Sequence, residues 1–143
     1  MFPALQLPKA NLRLSQKEGQ YFVWCDVRKK QLKLTPEEWV RQHAMHFLIH
    51  QKGISIGRIS AEHLLKINKQ NRRCDILVID QQGKAVLIVE CKAPEISIDE
   101  KTFLQTSNYV RETGAQFFWM TNGLQHVVMD CLNGTFIEEL PEM

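Results

Sequence analysis

The sequence predicts an α/β fold with a mixed β-sheet flanked by helices, on three observations. Two apolar runs, 74–80 (CDILVID) and 84–92 (KAVLIVECK), read as strong strands joined by the short turn Gln81-Gln82-Gly83. A well-signalled helix precedes them, and a second helix followed by two further strand-like runs comes after.

The elements follow in chain order. The opening stretch alternates loosely and contains one strand-like run, Gln20 to Cys25. Thr35 then fits a helix N-cap, Pro36 the first helical position, and Glu37 and Glu38 the positive end of the helix dipole. Val40, Ala44, Phe47 and Leu48 recur at helical spacing, and Gly53 marks the end. A strand with an irregular start is expected over 54–67, ahead of the two strong strands. The run Val86 to Val89 is continuous in apolar residues, as a strand buried on both faces requires. Ser97-Ile98-Asp99-Glu100 has the Ser-x-x-Glu form of a capping box for the second helix, which runs to Gly114. Residues 115–120 and 124–132 read as two strands about the turn Thr121-Asn122-Gly123.

Bulk properties narrow the function. The 143 residues suit one domain spanning 1–143, without room for a motor. No run approaches the ~20 apolar residues that cross a bilayer, and the N-terminus has no secretion-signal pattern, so a cytoplasmic protein without a membrane partner is expected. Cys25, Cys74, Cys91 and Cys131 form no CxxC pair, which argues against a zinc site or a disulfide framework. There is no glycine-rich phosphate loop. His43, His46 and His50 share one side of the first helix and read as a polar face. Trp24, Trp39 and Trp119 read as core or boundary aromatics.

Net charge is +2, unevenly placed. Residues 1–33 hold seven Lys/Arg against two acids, and residues 52–73 hold six against Glu62. From Glu95 onward eight acids face Lys101 and Arg111. Basic segments ahead of an acidic tail allow one face to meet phosphates. Arg72 and Arg73, directly before Asp75, are the leading candidates for nucleic-acid contact.

The chemistry converges on the two strong strands. Asp75 opens one, and Glu90-Cys91-Lys92 closes the next. Side chains alternate along a strand, so Glu90 and Lys92 point one way and Cys91 the other. A tight turn makes the strands hairpin neighbours and brings Asp75 across from Glu90. Two carboxylates and an ammonium at one end of a buried sheet suit phosphodiester hydrolysis. Asp75, Glu90 and the Cys91 backbone carbonyl offer hard oxygens to Mg²⁺, with Mn²⁺ as a substitute. Lys92 would orient water and stabilise phosphate charge. The bland alternative is a Glu90–Lys92 salt bridge.

Arg73-Cys74-Asp75 with Val89-Glu90-Cys91-Lys92-Ala93-Pro94 resembles the PD-(D/E)xK nuclease core, and the fuller run resembles the N-terminal nuclease domain of type I restriction enzyme R subunits. The resemblance also covers Val27–Lys30, Thr35–Gln42, Gln105 with Tyr109, and Thr121-Asn122-Gly123. Cys74 stands where the motif has its proline. The resemblance implies a restriction-endonuclease-like core and a Mg²⁺-dependent deoxyribonuclease, an endonuclease ahead of an exonuclease, with DNA as partner. It also implies an acidic metal neighbour on the first helix, Glu37 or else Glu38. Glu37 shares the helical face of Val40, Ala44 and Leu48, whereas Glu38 is turned about 100° away and can serve the Thr35 cap. Gln105 and Tyr109, one helical turn apart, match the Gln-x-x-x-Tyr element of RecB-like nucleases, which implies a part in holding DNA. A module that keeps this fold and binds without turnover is the second function class, and a homo-oligomer is compatible with either.

Overall fold

The computed structural model describes residues 2–67 and 69–143. Its main sheet has six strands in the order β4-β5-β6-β7-β8-β9: β4 Ile59–Ile67, β5 Gln70–Ile79, β6 Ala85–Cys91, β7 Phe117–Thr121, β8 His126–Asp130 and β9 Thr135–Ile137. Only β6 and β7 run parallel, and helix α2 (Glu100–Glu112) crosses between them. Helix α1 (Pro36–His50) covers the opposite face. A separate antiparallel sheet of β1 (Leu14–Lys17), β2 (Gln20–Cys25) and β3 (Lys30–Lys33) precedes it.

The central strands are buried on both faces, as the apolar run of β6 requires. Leu87 and Val89 pack with Val40, Ala44 and Leu48 of α1, together with Ile76, Val78 and Trp119. Ile88 faces the other way, onto Phe103, Tyr109 and Val110 of α2 with Phe118 and Met129. Burying such side chains contributes roughly 1.5–3 kcal/mol each, so the sandwiched strands set the rigid floor on which the strand-end residues stand.

Several boundaries differ from the sequence reading, for identifiable reasons. Thr35 is the N-cap of α1, its hydroxyl accepting from the Glu38 N–H at 3.0 Å. The cap of α2 is Asp99 and not Ser97: its carboxylate accepts the Thr102 N–H at 2.7 Å, which leaves Ser97 in the connecting loop. Residues 56–58 form a 3₁₀ turn, so the strand expected from 54 begins at Ile59. β5 starts at Gln70, four residues before Cys74, because its polar first half pairs with β4. β1, β3 and β9 were not foreseen; they are three or four residues long and mostly exposed, so they carry little apolar periodicity. His43 is buried, its ring N–H donating to the Trp39 carbonyl at 2.8 Å, so the α1 histidines are not one solvated polar face. No helix among the described residues is long and apolar enough to cross a membrane.

Candidate active site

Three strand-level features bring the acidic groups together. The β5–β6 register pairs Ile76 with Val89, which places Asp75 and Glu90 one step further toward the strand end. Asp75 Oδ2 accepts the Cys91 backbone N–H at 2.7 Å. The two carboxyls are close enough to couple, each shifting the proton affinity of the other. Because N–H and C=O of a strand residue leave the chain on the same side, the Cys91 carbonyl also faces the β5 edge where Asp75 sits.

Burial raises the Asp75 pKa above its ordinary range, with the Cys91 N–H and the Arg41 charge opposing. Glu90 is pushed up to about 8, first by burial and then by the negative charge of Asp75, against a lowering hydrogen bond from the Tyr109 hydroxyl at 3.0 Å. Two mostly buried carboxyls side by side cannot both ionise cheaply without a cation, so the pair retains a proton toward neutral pH.

Lys92 lies just past β6, half-buried, with its backbone N–H donating to the Thr121 carbonyl at 2.8 Å. Among the described residues no ion pair joins it to Glu90, so the bland salt bridge is not what holds these two groups. Its charge is felt instead at Glu37, whose carboxyl is raised by burial and by Asp75 and lowered by Arg41 and Lys92. Glu37 therefore stands in the field of the site. Glu38 does not offer a free carboxylate: it is 4% exposed and taken up by Arg41 and by Gln42 Nε2 at 2.9 Å. Its side chain turns to those partners and not back to Thr35, so only half of a capping box forms.

Arg41 and Glu62 belong to the site, and sequence reasoning missed both. The Arg41 guanidinium bonds Glu38 and Glu62 and sits 3.5 Å from Asp75 Oδ1. Burial opposes its charge, but the Glu38 and Glu62 carboxylates keep it firmly protonated. Burial would raise Glu62, yet the Arg41 hydrogen bond and charge hold it below its ordinary value. Glu62 has φ +56°, and the ladder skips it between the pairs Ala61↔Ile76 and His63↔Cys74. This kink, opposite Asp75, aims Glu62 at Arg41. The spacing of Arg41, three residues after Glu38 and four after Glu37, was a usable sequence signal. Glu62 had none.

The nucleic-acid candidates separate. Tyr109 joins the site through Glu90, and the Arg72 guanidinium lies over its ring, 3.7 Å from the centroid. Burial, then Glu90, raises the Tyr109 pKa, so its hydroxyl keeps the proton it donates. Arg73 is exposed and 3.4 Å from Glu62. Gln105 is exposed on the outer surface of α2 beside Lys101, Leu104 and Asn108, and no hydrogen bond joins it to Asp75, Glu90 or Lys92.

The turn behind Lys92 is braced. Asn122, 2% exposed, donates to the Ile96 carbonyl at 2.8 Å and accepts the N–H groups of Leu124 and Gln125. A cleft of about 390 Å³ elsewhere, lined by Leu7, Phe47, Trp119 and His126 among others, contains none of the site residues. Among the described residues no set of three or more His, Cys, Asp or Glu side chains is arranged to hold a metal ion. Arg41 already fills part of the space among these acids.

Comparison with known families bears on the fold. A family described as Type I restriction enzyme R protein N terminus (HSDR_N) matches residues 36–143, from the start of α1 through the whole six-stranded sheet, so the chain belongs to that family and has its restriction-endonuclease-like α/β core. No curated protein matches the chain.

Proposed function

We propose that this member of the type I restriction enzyme R protein N-terminal family hydrolyses DNA phosphodiesters in a Mg²⁺-dependent reaction, with Asp75, Glu90 and Lys92 as its reacting groups. The observation that carries the reading is the Asp75–Glu90 pair: two mostly buried carboxyls at one end of neighbouring strands, both raised, with Lys92 two residues beyond Glu90 and in no ion pair among the described residues. Such a pair is short of positive charge, and hard oxygen donors suit Mg²⁺, or Mn²⁺ in its place. Asp75, Glu90 and the Cys91 carbonyl are the groups that would hold the ion, with Glu37 in the field of the site but not clustered with the two carboxylates as a third ligand. Bound there, it would supply Lewis-acid neutralisation of charge on the phosphate oxygens.

The remaining work falls to the chain itself. Lys92, anchored by its backbone bond to Thr121, orients the attacking water and stabilises developing phosphate charge. The Tyr109 hydroxyl holds the Glu90 carboxylate in place. Tyr109 and Gln105 on α2, with Arg72 and Arg73 ahead of Asp75, hold the DNA. The resemblance to the nuclease domain of type I restriction enzyme R subunits favours an internal phosphodiester and hence an endonuclease.

Incubation of the protein with supercoiled plasmid tests this. Nicking in Mg²⁺ or Mn²⁺, absent in chelator and absent for Asp75→Asn, is expected. DNA binding that persists with no nicking in either metal would point to a binding module without turnover.

A further inference from the structure

The hairpin of β4 and β5 reaches beyond the sheet to which it belongs. β4 pairs with β5 from Ile59↔Val78 out to Ile67↔Gln70, whereas β5 meets β6 only from Ile76↔Val89 inward. The pairs His63↔Cys74, Leu64↔Arg73, Leu65↔Arg72 and Lys66↔Asn71 therefore form a two-stranded ribbon, and among the described residues no third strand pairs with it. It begins at the level of Asp75. At ~3.4 Å per residue, the five steps from Asp75 to Gln70 carry it about 17 Å outward.

Its charge is one-sided. Residues 63–74 contain Lys66, Lys69, Arg72 and Arg73 and no Asp or Glu, and all four cations are exposed. The base is tied down on both faces. Arg72 lies over Tyr109 and Leu65 packs on the α2 side, while Arg73 reaches Glu62 on the α1 side. Lysines on an exposed ribbon also discourage edge-to-edge pairing, and this would account for Lys66 and Lys69 taken alone. It does not account for their place at the far end of an arm that springs from the carboxylate pair, carries no acid beyond Glu62, and has Arg72 and Arg73 at its base.

We propose that this ribbon is a docking arm for duplex DNA, lying along the duplex beside the phosphodiester presented to Asp75 and Glu90, with Lys66 and Lys69 on backbone phosphates. Its reach corresponds to about five base pairs at ~3.4 Å per step. Two strands ~4.8 Å apart with their side chains fit a major groove ~12 Å wide and not a minor groove ~6 Å wide. The inference rests on the proposed reading for the identity of the partner, and not for hydrolysis.

The test is the salt dependence of binding to a fluorescent duplex of about 20 base pairs in chelator, over about 50 to 250 mM salt. Lys66→Gln/Lys69→Gln should shrink the log–log slope by about 1.8, at ~0.9 per lost phosphate contact. Lys84→Glu makes the same change in charge at the opposite end of β6 and should leave the slope near wild type. Thermal melts of both variants should match wild type, because all three lysines are exposed. A double variant whose slope equals that of wild type or of Lys84→Glu overturns the arm, and assigns the ribbon to edge protection or to a protein partner. A wild-type chain without salt-dependent DNA binding overturns the arm and the DNA reading together. Binding with the expected slopes but no cutting in Mg²⁺ keeps the arm and sinks the hydrolysis.

Discussion

Glu90→Gln should stabilise the metal-free protein, and by an amount that grows with pH. The Glu90 carboxyl is pushed from 4.5 to about 8 by burial and by Asp75. Between those values the unfolded chain has released its proton and the folded chain keeps it, so unfolding releases a proton and stability falls as pH rises. At ~1.4 kcal/mol per pKa unit, the interval up to pH 7 amounts to about 3 kcal/mol, reduced by whatever part of the proton Asp75 carries. Glutamine makes the neutral state permanent at the same shape: its Oε1 can accept from the Tyr109 hydroxyl and its N–H groups face Asp75. Thermal melts in chelator at a series of pH values read the effect. The variant and wild type should differ by less than about 1 kcal/mol at pH 5. At pH 7 the variant should melt about 5–10 °C higher, taking ~2–4 °C per kcal/mol for a chain of this size. Mg²⁺ added to wild type should narrow the gap. An offset equal at every pH would reveal a packing effect, and a variant that melts lower at pH 8 would refute the reasoning.

Three further outcomes follow from the same contacts. Arg41→Met strands the buried Glu38 carboxylate and should cost about 3–5 kcal/mol, seen as a melting point roughly 10 °C lower; a loss below about 1 kcal/mol would mean that the guanidinium contributes little. Tyr109→Phe removes a hydrogen bond that favours the charged Glu90, so the acid limb of the pH–cleavage profile should move up by about one unit, with an unmoved limb counting against the contact. Asn122→Ala removes the bonds from a buried amide to Ile96, Leu124 and Gln125 and should cost about 2–3 kcal/mol in chemical denaturation, with faster proteolysis of the 93–99 loop.

The parts of this molecule that were legible in the sequence are those specified by local pattern. β6 announces itself through an unbroken apolar run, and α1 through Thr35 and Pro36 ahead of it. The tight turn at 81–83 makes β5 and β6 neighbours, but the turn's own register, Ile79 against Ala85, would set Asp75 opposite Val89; a one-residue shift between Val78 and Ile79, which no local pattern announces, is what brings Asp75 level with Glu90. Helix periodicity separates Glu37 from Glu38, one lying in the field of Asp75 and Lys92 and the other buried against Arg41 and Gln42. What depends on distant partners was not legible. The polar run Gln70-Asn71-Arg72-Arg73 has no strand signature of its own and is held as β5 by pairing with β4. Glu62 enters the site through a left-handed backbone conformation in mid-strand that no residue type there advertises. Ser97 and Asp99 both satisfy the rules for an N-cap, and only the geometry decides for Asp99. Sharing a helix face proved a loose constraint for Gln105, which stays exposed while Tyr109, one turn on, is buried against Glu90.

The most direct test of the account is the rate of Mg²⁺-dependent plasmid cleavage by Lys92→Ala, on a sample whose Mg²⁺ binding has been verified calorimetrically. Lys92 is assigned to water and phosphate and not to the metal, and among the described residues no ion pair makes it a structural prop. Cleavage should be lower by about 10²-fold or more, with metal binding and melting temperature close to wild type. Asp75→Asn, measured beside it, should lose metal binding as well, because it removes a charged oxygen donor. A Lys92→Ala protein that cleaves plasmid at the wild-type rate would contradict the assignment outright.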